Sequence, residues 1–130
     1  MTHEQFIALS TAKLAKQAGF DWKCNERYNG KYATNDSEPL YVSSRDNWNQ
    51  YAGLYSAPTQ SVLQRWLREV REIIVLVDYN EDDDCEENER YGVTIYIGNE
   101  RIVELATYPT YEEALEAGLQ KCLTLLIKKQ

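Results

Sequence analysis

Apolar residues recur at helical spacing in three stretches of this chain and crowd into strand-like runs in three others. The order of the two patterns predicts the architecture. The first helix is expected from about Glu4 to Ala18, with Ile7, Thr11, Leu14, Ala15 and Ala18 on its inner stripe. Thr2 and Gln5 have capping-box spacing at its start, and Gly19 suits the left-handed residue that stops it, with Phe20 folding back. The second helix carries Val62, Leu63, Trp66, Leu67 and Val70 on one face. Ser56 is its expected N-cap, and Pro58 falls in its first turn, where a missing N–H costs nothing. The third opens on a second capping box, Thr110 to Glu113. It presents Tyr111, Ala114, Leu115, Gly118, Leu119, Cys122, Leu123 and Leu126 as a broad apolar face. Gly118 on that face predicts a close approach to a sheet. Acidic Glu112, Glu113 and Glu116 near its start and Lys128 and Lys129 at its end suit the helix dipole.

Between the second and third helices lie three strands. Ile73 to Tyr79 is β-branched and apolar without alternation, which reads as a strand covered on both faces or at the sheet centre. Tyr91 to Ile97 alternates, and Gly98-Asn99-Glu100 turns the chain into a third strand, about Arg101 to Tyr108. A two-residue Gly98-Asn99 loop would set Val93 opposite Glu104. A three-residue loop sets Val93 opposite Leu105, and burial favours it, because a one-residue slip moves a hydrophobic set to the wrong face. Cys24 to Tyr55 is looser. Tyr28-Asn29-Gly30-Lys31 is a two-residue hairpin signal, short strands are expected around it and near Leu40 to Ser43, and the rest reads as ordered loop. The fold class expected is α+β: a three-stranded antiparallel meander against two or three helices, with a loose β segment between helices one and two. At 130 residues it is a single domain, 1–130.

Charge changes this picture at one place. The chain has 21 acids and 14 bases, a net of −7, and eight of the acids lie between Asp78 and Glu89 with no Lys or Arg among them. Without them 13 acids face 14 bases, so the acidity is one local patch on a nearly neutral protein. The longest apolar run, Ile73 to Val77, is too short for a membrane span. The start has no basic cluster followed by an apolar run, and three cysteines at 24, 85 and 122 have no framework spacing. A cytoplasmic protein is expected.

Two segments carry a resemblance. Tyr55-Ser56-Ala57-Pro58-Thr59-Gln60 with Leu63-Gln64-Arg65-Trp66-Leu67-Arg68-Glu69, and Tyr111-Glu112-Glu113-Ala114-Leu115-Glu116-Ala117-Gly118-Leu119, resemble a set of short uncharacterised proteins. These occur in Bacteroides-type bacteria, their prophages and mobile elements. The resemblance covers about a fifth of the chain. The chain departs from it at Ile73-Ile74, where the family is more polar, and in the acidic segment. It implies a phage-linked accessory protein and no activity, and the matching positions are caps and core.

Candidate chemistry is sparse. Asp78, Asn80, Asp82 and Glu89 stand at the first, third, fifth and twelfth places of a calcium loop, but Asp83 occupies the sixth, where the sharp turn needs Gly. They are weak metal candidates, and a solvated, mutually repelling, disordered loop is the competing expectation. Arg65, Arg68 and Arg71 form a basic stripe, but Glu69 and Glu72 alternate with them, so helix ion pairs explain it and no direct nucleic-acid binding is expected. The one histidine, His3, sits at the terminus, so no cysteine gains a placed imidazole base. Cys122 reads as core, and Cys85 lies among carboxylates, the reverse of an activating setting. No phosphate loop, dinucleotide fingerprint or zinc spacing is present, so no cofactor, no catalytic residue and no enzyme activity is expected.

What remains is the aromatic excess. Tyr28, Tyr32, Tyr41, Trp48, Tyr51 and Tyr55 are candidate partner-binding residues, with capping of a small core as the plainer reading. The sequence points to a small non-enzymatic protein-interaction module of phage or mobile-element origin with an unidentified protein partner. The alternative is an acidic inhibitor that competes with nucleic acid for a host enzyme.

Overall fold

The computed structural model describes residues 5–130, except for the side chains of residues 103–105. Its elements in order are α1 (Leu9–Ala18), β1 (Cys24–Asn29), β2 (Leu40–Asp46), β3 (Leu54–Ser56), α2 (Gln60–Val70), β4 (Ile73–Tyr79), β5 (Tyr91–Ile97), β6 (Glu100–Tyr108) and α3 (Tyr111–Lys128). The α+β class and the meander are as the sequence predicts. The strands form two antiparallel sheets, however, ordered β2-β1-β3 and β4-β5-β6, and the first of these was foreseen only as a loose segment.

The helices hold because their inner stripes converge on one core. Trp66, Leu63 and Leu67 of α2 join Leu115, Leu119, Cys122 and Leu123 of α3, the alanines of α1, and Val75, Val93 and Ile95 of the second sheet. Phe20 closes this core, edge-on to Trp66 with ring centroids 5.4 Å apart. Gly118 sits where α3 crosses the sheet: a Cβ there would lie 2.8 Å from a Val93 methyl and 2.9 Å from a Val75 methyl. The close approach read from the sequence is therefore real. Gly19 ends α1 at φ 96°, donating to the Ala15 and Lys16 carbonyls, as expected of a left-handed cap.

Five expectations are corrected. The first helix starts at Leu9, because Gln5–Ala8 run extended against the segment before α2. Ile7 N–H donates to Pro58 O at 3.1 Å and Gln60 N–H to Gln5 O at 2.8 Å. Thr2 and Glu4 lie outside the described residues. The N-cap of α2 is Thr59, whose hydroxyl accepts from Val62 N–H at 3.3 Å. Ser56 ends β3 and accepts the Trp48 N–H instead. No tight hairpin forms at Asn29-Gly30, since β1 and β2 are joined through residues 30–39. Gly30 is needed there for space: a Cβ would lie 2.7 Å from the Tyr55 ring. Strand β4 is an edge strand covered on one face only. The β5–β6 loop has two residues, with Gly98 at φ 60°, and pairs Val93 with Glu104 and Ile95 with Ile102. Turn chemistry overrides burial because β6 is the outer strand, where register is weakly held by the core. Two extra residues in β6 then set Tyr91 opposite Tyr108, a shift that keeps each side chain on its face.

Candidate interaction surfaces

The six aromatic candidates separate by depth. Tyr28, on β1, is buried, and its hydroxyl donates to Ile7 O at 2.7 Å. Burial, followed by the negative charges of Glu116 and Glu38, pushes its pKa up to about 12. Trp48 is buried too. Its indole N–H donates to Cys24 O at 2.9 Å, and the Arg27 guanidinium lies 4.6 Å from its ring centroid. Neither residue is available as an open contact surface: Tyr28 belongs to the core, and Trp48 is buried outside it, against Arg27 and Tyr51.

Tyr51 and Tyr55 are held at the rim. The Tyr51 hydroxyl donates to Asp46 at 2.7 Å, and this bond lowers the pKa of the Asp46 carboxyl and raises that of the phenol. Tyr55 lies under two ammonium groups, Lys16 at 4.9 Å and Lys13 at 5.9 Å from its ring centroid. Lys16 is fixed there by donating to Tyr51 O and Leu54 O at 2.8 and 3.0 Å. Tyr32 and Tyr41 stand furthest out into solvent, 73% and 64% exposed, together with Leu40 at the start of β2, while Tyr51 is 43% exposed.

Beside Tyr32 and Leu40 two clefts adjoin. One, of about 470 Å³, runs between the extended arm at Gln5, Phe6 and Ala8 and the connection at Ser37 to Pro39. The other, of about 210 Å³, lies against Arg27, Tyr32, Ala33 and Leu40. Tyr28, Ser37 and Glu38 line both, so the two clefts adjoin and together are taken as one groove. Among the described residues that line this groove the charged side chains are Arg27, which is stacked on Trp48, and Glu38.

The acidic segment is tied into a folded loop. Asn80 N–H donates to Arg90 O at 2.7 Å, and the Arg90 guanidinium returns to Asn80 O at 2.8 Å. Each of the four metal candidates accepts a local hydrogen bond. Asp78 accepts from the Thr94 hydroxyl, Asn80 Oδ1 from Asp82 N–H, Asp82 Oδ1 from Asp84 N–H, and Glu89 Oε1 from Glu86 N–H. Among the described residues no three His, Cys, Asp or Glu side chains converge as a metal cage. At the root of the loop Tyr79, Tyr91 and Tyr111 stack edge to face, with centroids 5.4 and 6.3 Å apart. No sequence signal pointed to this cluster, because its members come from three separate elements.

Glu116 reads in the sequence only as one of the acids that suit the dipole of α3. It projects from α3, accepts Ala8 N–H at 2.9 Å and Gln60 Nε2–H at 2.8 Å, and is bonded by the Thr11 hydroxyl. Ala8 is the N-cap of α1 and has no side-chain oxygen, so a carboxylate from another helix does the capping. Of the basic stripe, Arg65 pairs with Glu69, one turn away on α2. Burial pushes the Cys24 thiol up and the Cys122 thiol up to about 12, against activation of either.

Among the described residues no helix is long and apolar enough to cross a membrane. No family model matches the chain, and no curated protein or solved structure matches it with significance.

Proposed function

We propose that this chain is a non-enzymatic protein-interaction module that holds an extended segment of a partner protein in the groove between the Gln5–Ala8 arm and the residue 30–39 connection. An apolar side chain of the partner packs on Tyr32 and Leu40, and a basic one meets Glu38. The observation that carries this reading is the groove itself: two adjoining clefts sharing Tyr28, Ser37 and Glu38, with Tyr32 and Leu40 left exposed at its rim. Aromatic anchors beside a cleft are the usual energetic centres of an interface. The phage or mobile-element origin belongs to the same proposal. The alternative, competition with nucleic acid, gains no support from the carboxylates, which crowd one internally bonded loop and do not run along a surface.

A photo-crosslinking amino acid at position 32, compared with one at exposed Lys121, tests the reading in the expressing host. A single partner joined from position 32, absent from position 121 and lost with Glu38→Lys, is expected. Equal labelling from both positions, or a partner indifferent to Glu38→Lys, refutes it.

A further inference from the structure

The run Ile73 to Val77 has the composition of a strand covered on both faces, yet the monomer covers one. Ile73 and Val75 point to α3 and are buried, as are Val93 and Ile95 on β5. On the opposite side Ile74 and Leu76 remain 41% and 46% exposed. The pairings Ile74–Tyr96 and Leu76–Thr94 put half-buried Tyr96 and Thr94 on that same side, where Thr94, bonded to Asp78, is itself only 4% exposed. An apolar sheet face needs a second layer.

We propose that the second layer is another copy of this chain, stacked face to face on the β4-β5-β6 sheet about a two-fold axis. The charges on the open face choose this occupant. Asp78 pairs with Gly92 at one end of edge strand β4, while Arg101 pairs with Tyr96 at the other end of edge strand β6. The two are therefore about 10 Å apart across the strands and about 13 Å along them, at diagonal corners of the face. A two-fold axis lying between the stacked faces, perpendicular to that diagonal, sets each Arg101 over the other copy's Asp78. It also brings Ile74 and Leu76 of the two copies together along the axis, on the β4 side of the shared face. The strands then cross close to a right angle, the orthogonal class of sheet packing. A face whose opposite charges exchange under its own two-fold is complementary to itself, as a closed dimer requires. Asp78 keeps its Thr94 bond through one oxygen, leaving the other for the arginine.

Sedimentation velocity on the full chain, run up to about 100 μM, tests this. The wild type is expected to dimerise, and Leu76→Lys to be monomeric with an unchanged circular dichroism melt, since that side chain is half-exposed. Arg101→Glu and Asp78→Arg should each weaken the dimer at least tenfold, and an equimolar mixture of the two should restore it, because every cross-copy pair is then opposite in sign. A wild type that stays monomeric at the highest concentration overturns the proposal without any variant. A dimer that survives Leu76→Lys, or a mixture that stays monomeric, overturns it as well.

Discussion

Replacing Gly118 by alanine probes the closest helix–sheet approach in the fold. The added Cβ lies 2.8 Å from a Val93 methyl and 2.9 Å from a Val75 methyl, about 1 Å inside ordinary carbon–carbon contact. Both neighbours are β-branched, so neither relieves the clash by a cheap rotation. Both are also buried on the two strands under α3. The strain must be taken up by shifting the helix or the sheet, which costs about 1–3 kcal/mol. Alanine recovers about 1 kcal/mol of helix propensity over glycine, leaving a net loss of up to about 2 kcal/mol. In urea the midpoint should fall with an unchanged slope, and the thermal midpoint should drop by about 4 °C per kcal/mol. Two further variants isolate the cause. Val93→Ala combined with Gly118→Ala should be less destabilising than the sum of the singles by about 1 kcal/mol, because the new methyl fills the vacated space. Gly92→Ala, whose Cβ meets nothing within 4 Å, should leave stability unchanged or slightly raised. A Gly118→Ala protein more stable than the wild type, or one whose effect simply adds to that of Val93→Ala, would refute the reasoning and the placement of α3.

Other outcomes follow from the polar contacts. Glu116→Ala strips the acceptor from Ala8 N–H, Thr11 and Gln60, and should cost about 2–3 kcal/mol in urea unfolding, with amide exchange quickening first in the opening turn of α1. A neutral result would show that the carboxylate is not the cap of that helix. Tyr28 has a folded pKa raised from 10.0 to about 12, so its contribution to stability is complete below pH 10 and is lost as pH rises from 10 towards 12. Tyr28→Phe should flatten that part of the stability profile, and an unchanged slope would contradict the burial of the phenol. Native labelling with a thiol reagent at pH 8, read by intact mass, should modify Cys85 well before buried Cys24 and Cys122. Rapid double or triple labelling would disprove the core positions of those two thiols. Glu72 holds φ 58° in the turn from α2 to β4, so Glu72→Gly should stabilise the chain by about 0.5–1 kcal/mol, and a loss would mean that its side chain matters more than its backbone.

The local patterns were legible from the residues alone. The Leu63–Trp66–Leu67 face, the Thr110 cap, the Gly19 stop, the small contact at Gly118 and the strand runs at 73–79 and 91–97 each depend on residues within a turn or two of one another. Periodicity and capping are short-range physics, so a linear reading reaches them. Tertiary structure decided what those elements face. It sent Tyr28 and Trp48 inward while leaving Tyr32 and Tyr41 outside, although the same composition surrounds all four. It delayed the start of α1 through an arm bonded to residues more than 50 positions away, and it capped that helix with Glu116, 108 residues from Ala8. It also uncovered one side of β4, which no count of apolar residues distinguishes from a strand at the centre of a sheet. Whether a side chain is buried depends on which distant surface arrives against it, and that is a property of the assembled chain.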